Sequence, residues 1–346
     1  MANTCTDCEL KYFCAIKQFY KNSDSALDYL RFHGVLPSQV NCPSCNKECT
    51  LSDGQWRCNE NWKVPNTKKR RRCSFSLSDY HNSFLSHCSM PPWKVVLLVN
   101  QFLQEIWDHD TVVAELKLSI AKSVAWSSAC AQVTQNWLSH QAAIGGDGVI
   151  VEIGETALVR RHSKSRRVLG QVELFAGVER VSKKKFVVIL SGEDEPVSDS
   201  EIVSSSESEL VGDSEIVRVR DGAGETNSKD GENIKGQTLI SHIKKFIIPG
   251  STVISKDLKE YKDLDSIGYI HQAFTGAESK TQLDTIEKLW RYILRQTRKQ
   301  GNRSTLTHLK HYVSRYLFLS AFPKDRLLHQ FFTECARLYR TTGEIC

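Results

Sequence analysis

Nowhere in the 346 residues does an apolar run approach the roughly 20 residues needed to cross a bilayer. The first twenty residues also lack a signal peptide's apolar stretch, having cysteines and charges in its place. These absences predict a soluble protein of a reducing compartment with no membrane partner. They also change the meaning of the twelve cysteines, whose clustered pairs then read as metal ligands and not as a disulfide scaffold.

The charge is unevenly spread. Net charge is +6, yet residues 191–236 hold thirteen Asp and Glu against four Lys and Arg, a balance of −9 that leaves +15 on the remainder. A basic remainder of that size fits a polyanionic partner, DNA above all, or else a solvating surface. The acidic stretch, residues 192–236, is too polar to bury and is read as a disordered insertion. Its serines beside acids suit phosphorylation, and its charge would suit a basic protein partner.

Length and 40% apolar content predict two or three domains with real cores. Residues 1–40 read as a helical segment with apolar Ala26, Leu27 and Leu30; Cys5, Cys8 and Cys14 precede it without an obvious fourth ligand. Residues 41–90 carry Cys42-Pro-Ser-Cys45, then Cys58, then Cys73. Four thiolates so arranged suit a structural zinc ion, and a short hairpin with little core needs the metal to fold. Fourteen residues separate Cys58 from Cys73, so Cys49 is the alternative ligand. Within that gap stand Lys68, Lys69, Arg70, Arg71 and Arg72, a run suited to phosphate contacts or nuclear import.

Residues 91–144 predict a helix over 93–107 and a helix pair over 111–116 and 120–138, with Ser119 as N-cap. The pair resembles a helix-turn-helix that would offer Lys122, Ser123 and Trp126 to a major groove; simple packing is the alternative. Residues 145–148 (G-G-D-G) read as a hinge into the strand 149–155 (V-I-V-E-I-G-E), which alternates buried apolar and outward positions. A basic loop, 160–167, brings Arg160, Arg161, Lys164, Arg166 and Arg167 as further DNA-contact candidates. Strands over 168–178 and 185–190 follow, then after the insertion a helix 238–246, a strand 251–255, a helix 258–264 and a strand 269–272. Helices over 281–298, 306–319 and 326–339 close the chain. Strands first, then alternating helix and strand, fit an α/β domain with one mixed sheet over residues 145–320, with 321–346 as a C-terminal helix.

Six segments now fall in a recognisable order: Gly145-Gly146 before Val151-Glu152-Ile153-Gly154-Glu155; Val159-Arg160-Arg161; Phe175 to Arg180; Ile248-Pro249-Gly250-Ser251 to Ser255; Gly268-Tyr269-Ile270-His271; and Thr285-Ile286-Glu287-Lys288-Leu289-Trp290. With the cysteine knuckles they resemble the Merlin-type transposases and their bacterial insertion-sequence relatives. That resemblance implies an RNase H-like mixed sheet flanked by helices, preceded by a zinc ribbon and a helix-turn-helix-like region. It also implies DNA as partner, a nuclear site of action if the source is eukaryotic, and a homo-oligomer as an open alternative.

Family members hold two divalent metals with three acids, and the metals drive in-line attack on a phosphodiester. Here the first acid's position falls on Gly154 and the second's on Lys256, while the third keeps Glu287. Glu152 and Asp257 are the candidate substitutes, and magnesium or manganese is implied only if they serve. The histidine and asparagine that typically precede the third acid are replaced by Gln282 and Asp284. The expectation is a transposase-derived DNA-binding protein without strand cleavage. An active nuclease with substitute carboxylates and an interaction protein acting through the acidic insertion are the alternatives.

Overall fold

The computed structural model describes residues 5, 7–63, 70–105, 107–162, 168–194, 214–219, 229–299 and 306–342. Contacts divide the chain into two units, Met1–Ser139 with Phe318–Cys346, and His140–Leu317.

In the first unit, α1 (Tyr12–Phe19) precedes α2 (Ser23–Phe32). Asn22 starts α2 because its side-chain oxygen accepts the Ser25 N–H at 3.0 Å, satisfying one donor that a helix N-terminus leaves orphaned. Ala26, Tyr29 and Leu30 then share one buried face. A three-stranded antiparallel sheet follows in the order β1-β2-β5 (Thr50–Ser52, Gln55–Arg57, Ser76–Ser78), and a hairpin of β3 (Asn61–Lys63) and β4 (Arg70–Arg72) rises from it.

The helix α3 (Pro92–Phe102) opens on a proline, whose missing N–H is an orphan there anyway. It stops five residues short of the expected Trp107. The Gln104 amide bonds back to the Asn100 carbonyl at 2.8 Å, and Trp107 returns edge-on to Phe102. Two helices, α4 (His109–Leu116) and α5 (Ile120–Ser139), form the expected pair, with Asp108 capping the first through the Thr111 N–H and Ser119 accepting the Lys122 N–H at 3.3 Å. The groove-facing set needs correction. Ser123 is fully buried and hydrogen-bonded to His109 at 2.8 Å, and Trp126 packs edge-on against Phe84. Only Lys122 of the three is exposed.

The second unit is built on β7 (Ile150–His162), β8 (Val168–Glu179) and β9 (Lys185–Asp194), which run antiparallel. Two later strands, β12 (Thr252–Lys256) and β13 (Ile270–Phe274), add in parallel on the other side, giving the mixed order β13-β12-β7-β8-β9. A further strand, β10 (Ser214–Val219), pairs antiparallel with residues 157–162 of β7, beyond the stretch that β12 occupies. Arg160 and Arg161 therefore lie in a strand and not in a loop. The acidic stretch is likewise corrected where it is described: β9 reaches Asp194, β10 lies within it, and α6 (Lys229–Phe246) begins there. Ile216, Val217 and Val219 supply the β-branched residues that its average composition conceals. Residues 195–213 and 220–228 lie outside the described residues.

Short strands β6 (Ile144–Gly145) and β11 (Ile247–Ile248) pair in parallel at the entrance to β7. The expected glycine hinge is pinned. The Gly145 N–H donates to Glu179 at 2.6 Å and the Gly146 N–H to Ser251 Oγ at 2.8 Å. A Cβ at Gly145, whose φ is +94°, would stand 2.2 Å from Ser251 Oγ, so no larger residue fits this approach.

Alternation along β7 sets the two faces of the sheet. Val151 and Ile153 join Phe175, Phe186, Val253, Leu239 and Ile243 in the core beneath α6. On the other face, after α7 (Gly276–Gln282), comes α8 (Asp284–Lys299), which buries Ile286, Leu289, Trp290 and Ile293 at helical spacing. The helix expected over 258–264 is replaced by two 3₁₀ turns, Lys259–Tyr261 and Asp265–Ile267, ended by Gly268 at φ +94°. Two helices close the chain: α9 (Leu306–Ala321) and α10 (Leu327–Thr342), the latter packed on α5 in the first unit.

Candidate metal centres and the Gly154 site

Cys42, Cys45, Cys58 and Cys73 place their sulfurs within 4.8 Å of one another. The Cys42–Cys73 and Cys45–Cys58 sulfur pairs are each 3.4 Å apart, close to the edge of about 3.8 Å for tetrahedral zinc thiolate. The backbone builds this arrangement locally. Asn46, at φ +55°, closes a turn whose N–H returns to the Cys42 carbonyl at 2.7 Å. The fourteen-residue gap before Cys73 is the β3–β4 hairpin, and the Cys73 N–H closes it on the Glu60 carbonyl at 2.8 Å. Cys49 is buried beside the cluster but is not one of the four converging ligands.

The thiols differ in acidity. Burial raises Cys42, but the Ser44 and Cys45 N–H groups and the neighbouring thiols outweigh it and bring Cys42 down to about 6. The Glu60 N–H lowers Cys58, yet burial and the same neighbours push that thiol up to about 12. Buried Asp79 fixes the small sheet to the helices, accepting from Arg31 and, at 3.0 Å, from Trp56 Nε1.

A second convergent group takes two of the three amino-terminal cysteines and adds two histidines that the sequence did not point to. Cys5 and Cys8 meet His33, just after α2, and His329, in the first turn of α10, with one ligand atom of each within 4.8 Å of the others. Cys14, which was grouped with them, is exposed on α1. Both groups could bind a metal such as zinc.

In the second unit the three positions singled out stand on β7, β12 and α8. β12 pairs with β7 from Thr252 beside Ile150 to Ile254 beside Glu152, and Lys256 and Gly154 each lie two residues beyond that last pair. A Cβ on Gly154 would meet Ile286 Cγ1 at 3.4 Å and Trp290 Nε1 at 3.6 Å, and Glu287 follows Ile286 on α8. Ile286 and Trp290 are each 2% exposed, so the space over Gly154 is filled by apolar side chains.

Glu152 is already engaged. One carboxylate oxygen accepts Arg180 Nε at 3.0 Å, and the other accepts the N–H groups of Thr285 and Ile286 at 2.9 and 3.1 Å. It therefore caps α8 from a neighbouring strand, where the helix dipole favours a negative charge. Arg180 continues the clamp by donating to the Gln282 carbonyl at 2.6 Å. Glu152 is 1% exposed, and these bonds make it a structural anchor between β7 and α8. Asp257 is exposed at the strand end, and its N–H bonds the Phe274 carbonyl at 3.2 Å. Glu155 accepts the Tyr261 hydroxyl at 2.7 Å on the opposite face.

Of the basic candidates, Arg70, Arg71 and Arg72 form β4, and Arg72 donates to Asn59 at 2.8 Å. Exposed Lys122 donates to Ser89 at 3.3 Å. Arg160 and Arg161 sit where β7 is flanked by β8 and β10. Lys68, Lys69, Lys164, Arg166 and Arg167 lie outside the described residues. Among the described residues no helix is long and apolar enough to cross a membrane. No protein-family model matches the chain, and no curated protein matches it.

Proposed function

We propose that this chain is a transposase-derived DNA-binding protein, similar to Merlin-type transposases, that has lost DNA cleavage and strand transfer. The observation that carries the reading is the filled space over Gly154. Two-metal chemistry needs several carboxylates around ions about 4 Å apart. At the three positions that the resemblance assigns to the acids stand Gly154, covered by Ile286 and Trp290, Lys256, and the single acid Glu287. Lys256 adds a fixed positive charge that opposes cation binding. The strand order β13-β12-β7-β8-β9, three antiparallel strands extended by two parallel ones with helices on both faces, supports an RNase H-like domain. The four-cysteine ribbon with its basic hairpin, and the +15 charge outside the acidic stretch, support DNA as the partner and the nucleus as the site of action in a eukaryote.

The test is a pair of assays on the full chain. Affinity for duplex DNA is expected to fall at least tenfold between 50 and 200 mM salt, by roughly one decade or more as several phosphate contacts release counterions. No manganese-dependent nicking is expected, and Glu287→Gln should leave DNA binding unchanged. Nicking that disappears in Glu287→Gln would overturn the reading.

A further inference from the structure

We propose that Cys5, Cys8, His33 and His329 bind a second structural zinc ion, which fastens the amino-terminal segment and the end of α2 to the first turn of α10. The proposal rests on the donor geometry and is independent of any transposase descent.

Four of the six ligand-to-ligand distances are close to the edges of a tetrahedron. Cys5 Sγ to His329 Nδ1 is 3.5 Å, Cys8 Sγ to His33 Nε2 is 3.4 Å, and Cys8 Sγ to His329 Nδ1 is 3.6 Å. The His33 Nε2 to His329 Nδ1 separation is 3.2 Å. Zinc bonded to sulfur and imidazole at its usual lengths gives edges of about 3.6 Å between sulfur and nitrogen and about 3.3 Å between nitrogens.

The ligands are also prepared for a cation. His33 Nδ1 lies 2.8 Å from the Tyr29 carbonyl, which holds the proton on that nitrogen and leaves the Nε2 lone pair facing the sulfurs. A plain hydrogen-bonded cluster would gather weak sulfur partners at one point; a metal ion uses every one of them. Two thiolates and two neutral imidazoles around a dication sum to zero charge, which suits a centre whose histidines are both buried. On binding, the Cys5 and Cys8 thiols release their protons to solvent.

Each ligand-bearing segment is held in place by bonds outside the cluster. The Cys5 N–H donates to the Phe32 carbonyl at 2.8 Å, and the Leu10 N–H to the Asp325 carbonyl at 2.7 Å. Arg326 pairs with Asp7 at 3.2 Å and with Glu9 at 3.0 Å. The Tyr29 ring lies tilted against His33 with ring centroids 4.1 Å apart.

Elemental analysis of the purified full chain should find two zinc ions per chain. Both His329→Gln and Cys8→Ser should lower the count to one, and Cys42→Ser with Cys45→Ser should leave the other one. Loaded with cobalt, the Cys42→Ser, Cys45→Ser chain should show the tetrahedral visible spectrum of a two-sulfur, two-nitrogen site. One zinc per wild-type chain, two retained in His329→Gln, or a cobalt spectrum without that signature would each overturn the proposal. The wild-type count and the cobalt spectrum decide even where His329→Gln fails to fold.

Discussion

The two ends of this molecule's chemistry treat their ligand positions in opposite ways. In the first unit, eight cysteine and histidine side chains close into two groups whose spacings fit a cation. In the second, Gly154 stands on β7, Lys256 on β12 and Glu287 on α8, and the apolar side chains of Ile286 and Trp290 fill the space over Gly154. The residue that ties the sheet to α8 and the residue covered by apolar side chains are different ones. Glu152 and Arg180 tie β7 to α8, so the packing survives with glycine two residues away. A metal ribbon has no such division, since its ligands are also its core.

That contrast can be tested most severely at Cys42. Replacing it by serine should remove the ion that supplies most of the ribbon's folding energy, which for small zinc modules is on the order of 10 kcal/mol. Hydrogen exchange should show protection lost across residues 42–78 while β7, β8 and β12 stay protected; unchanged protection at 42–78 would erase the distinction between the units. Smaller, but still large, is Glu152→Ala, which leaves Arg180 and two α8 donors without their carboxylate and should cost about 3 kcal/mol. Thermal unfolding would read this as a lowered midpoint, and Glu152→Gln should lose less because it keeps an acceptor. If manganese raised the wild-type midpoint, and Glu152→Gln abolished that rise, the anchor would have to be reread as a ligand. Cys14→Ser should do least, staying within about 0.5 kcal/mol as an exposed surface change and leaving the zinc count untouched.

What could be read from the sequence follows the distance over which each feature is assembled. The ribbon was legible because its four cysteines fall within one short stretch and the knuckle Cys42-Pro-Ser-Cys45 announces itself. The strand at 149–155 was legible through its alternation. His33 and His329 were not legible as ligands, because they stand 25 and 321 residues from Cys8 and lie on elements that read as ordinary packing helices. The extension of β7 through Arg160 and Arg161 was hidden for a related reason. Two arginines resemble a loop until β10, from inside an acidic stretch, is seen to lie alongside them. Ser123 looked solvent-facing by position, and only the approach of His109 from α4 shows that it is buried.

The division of the first unit between the two ends of the chain has a consequence in time. At a synthesis rate of about 5–20 residues per second, His329 leaves the ribosome roughly 15–60 s after Cys8. Throughout that interval the nascent chain carries Cys5, Cys8 and His33 without their fourth partner, while the whole of residues 140–317 is made and free to fold. The Cys42 ribbon, by contrast, has all its ligands within seconds. The grouping of Cys5, Cys8 and His33 with His329 therefore waits on the synthesis of α10.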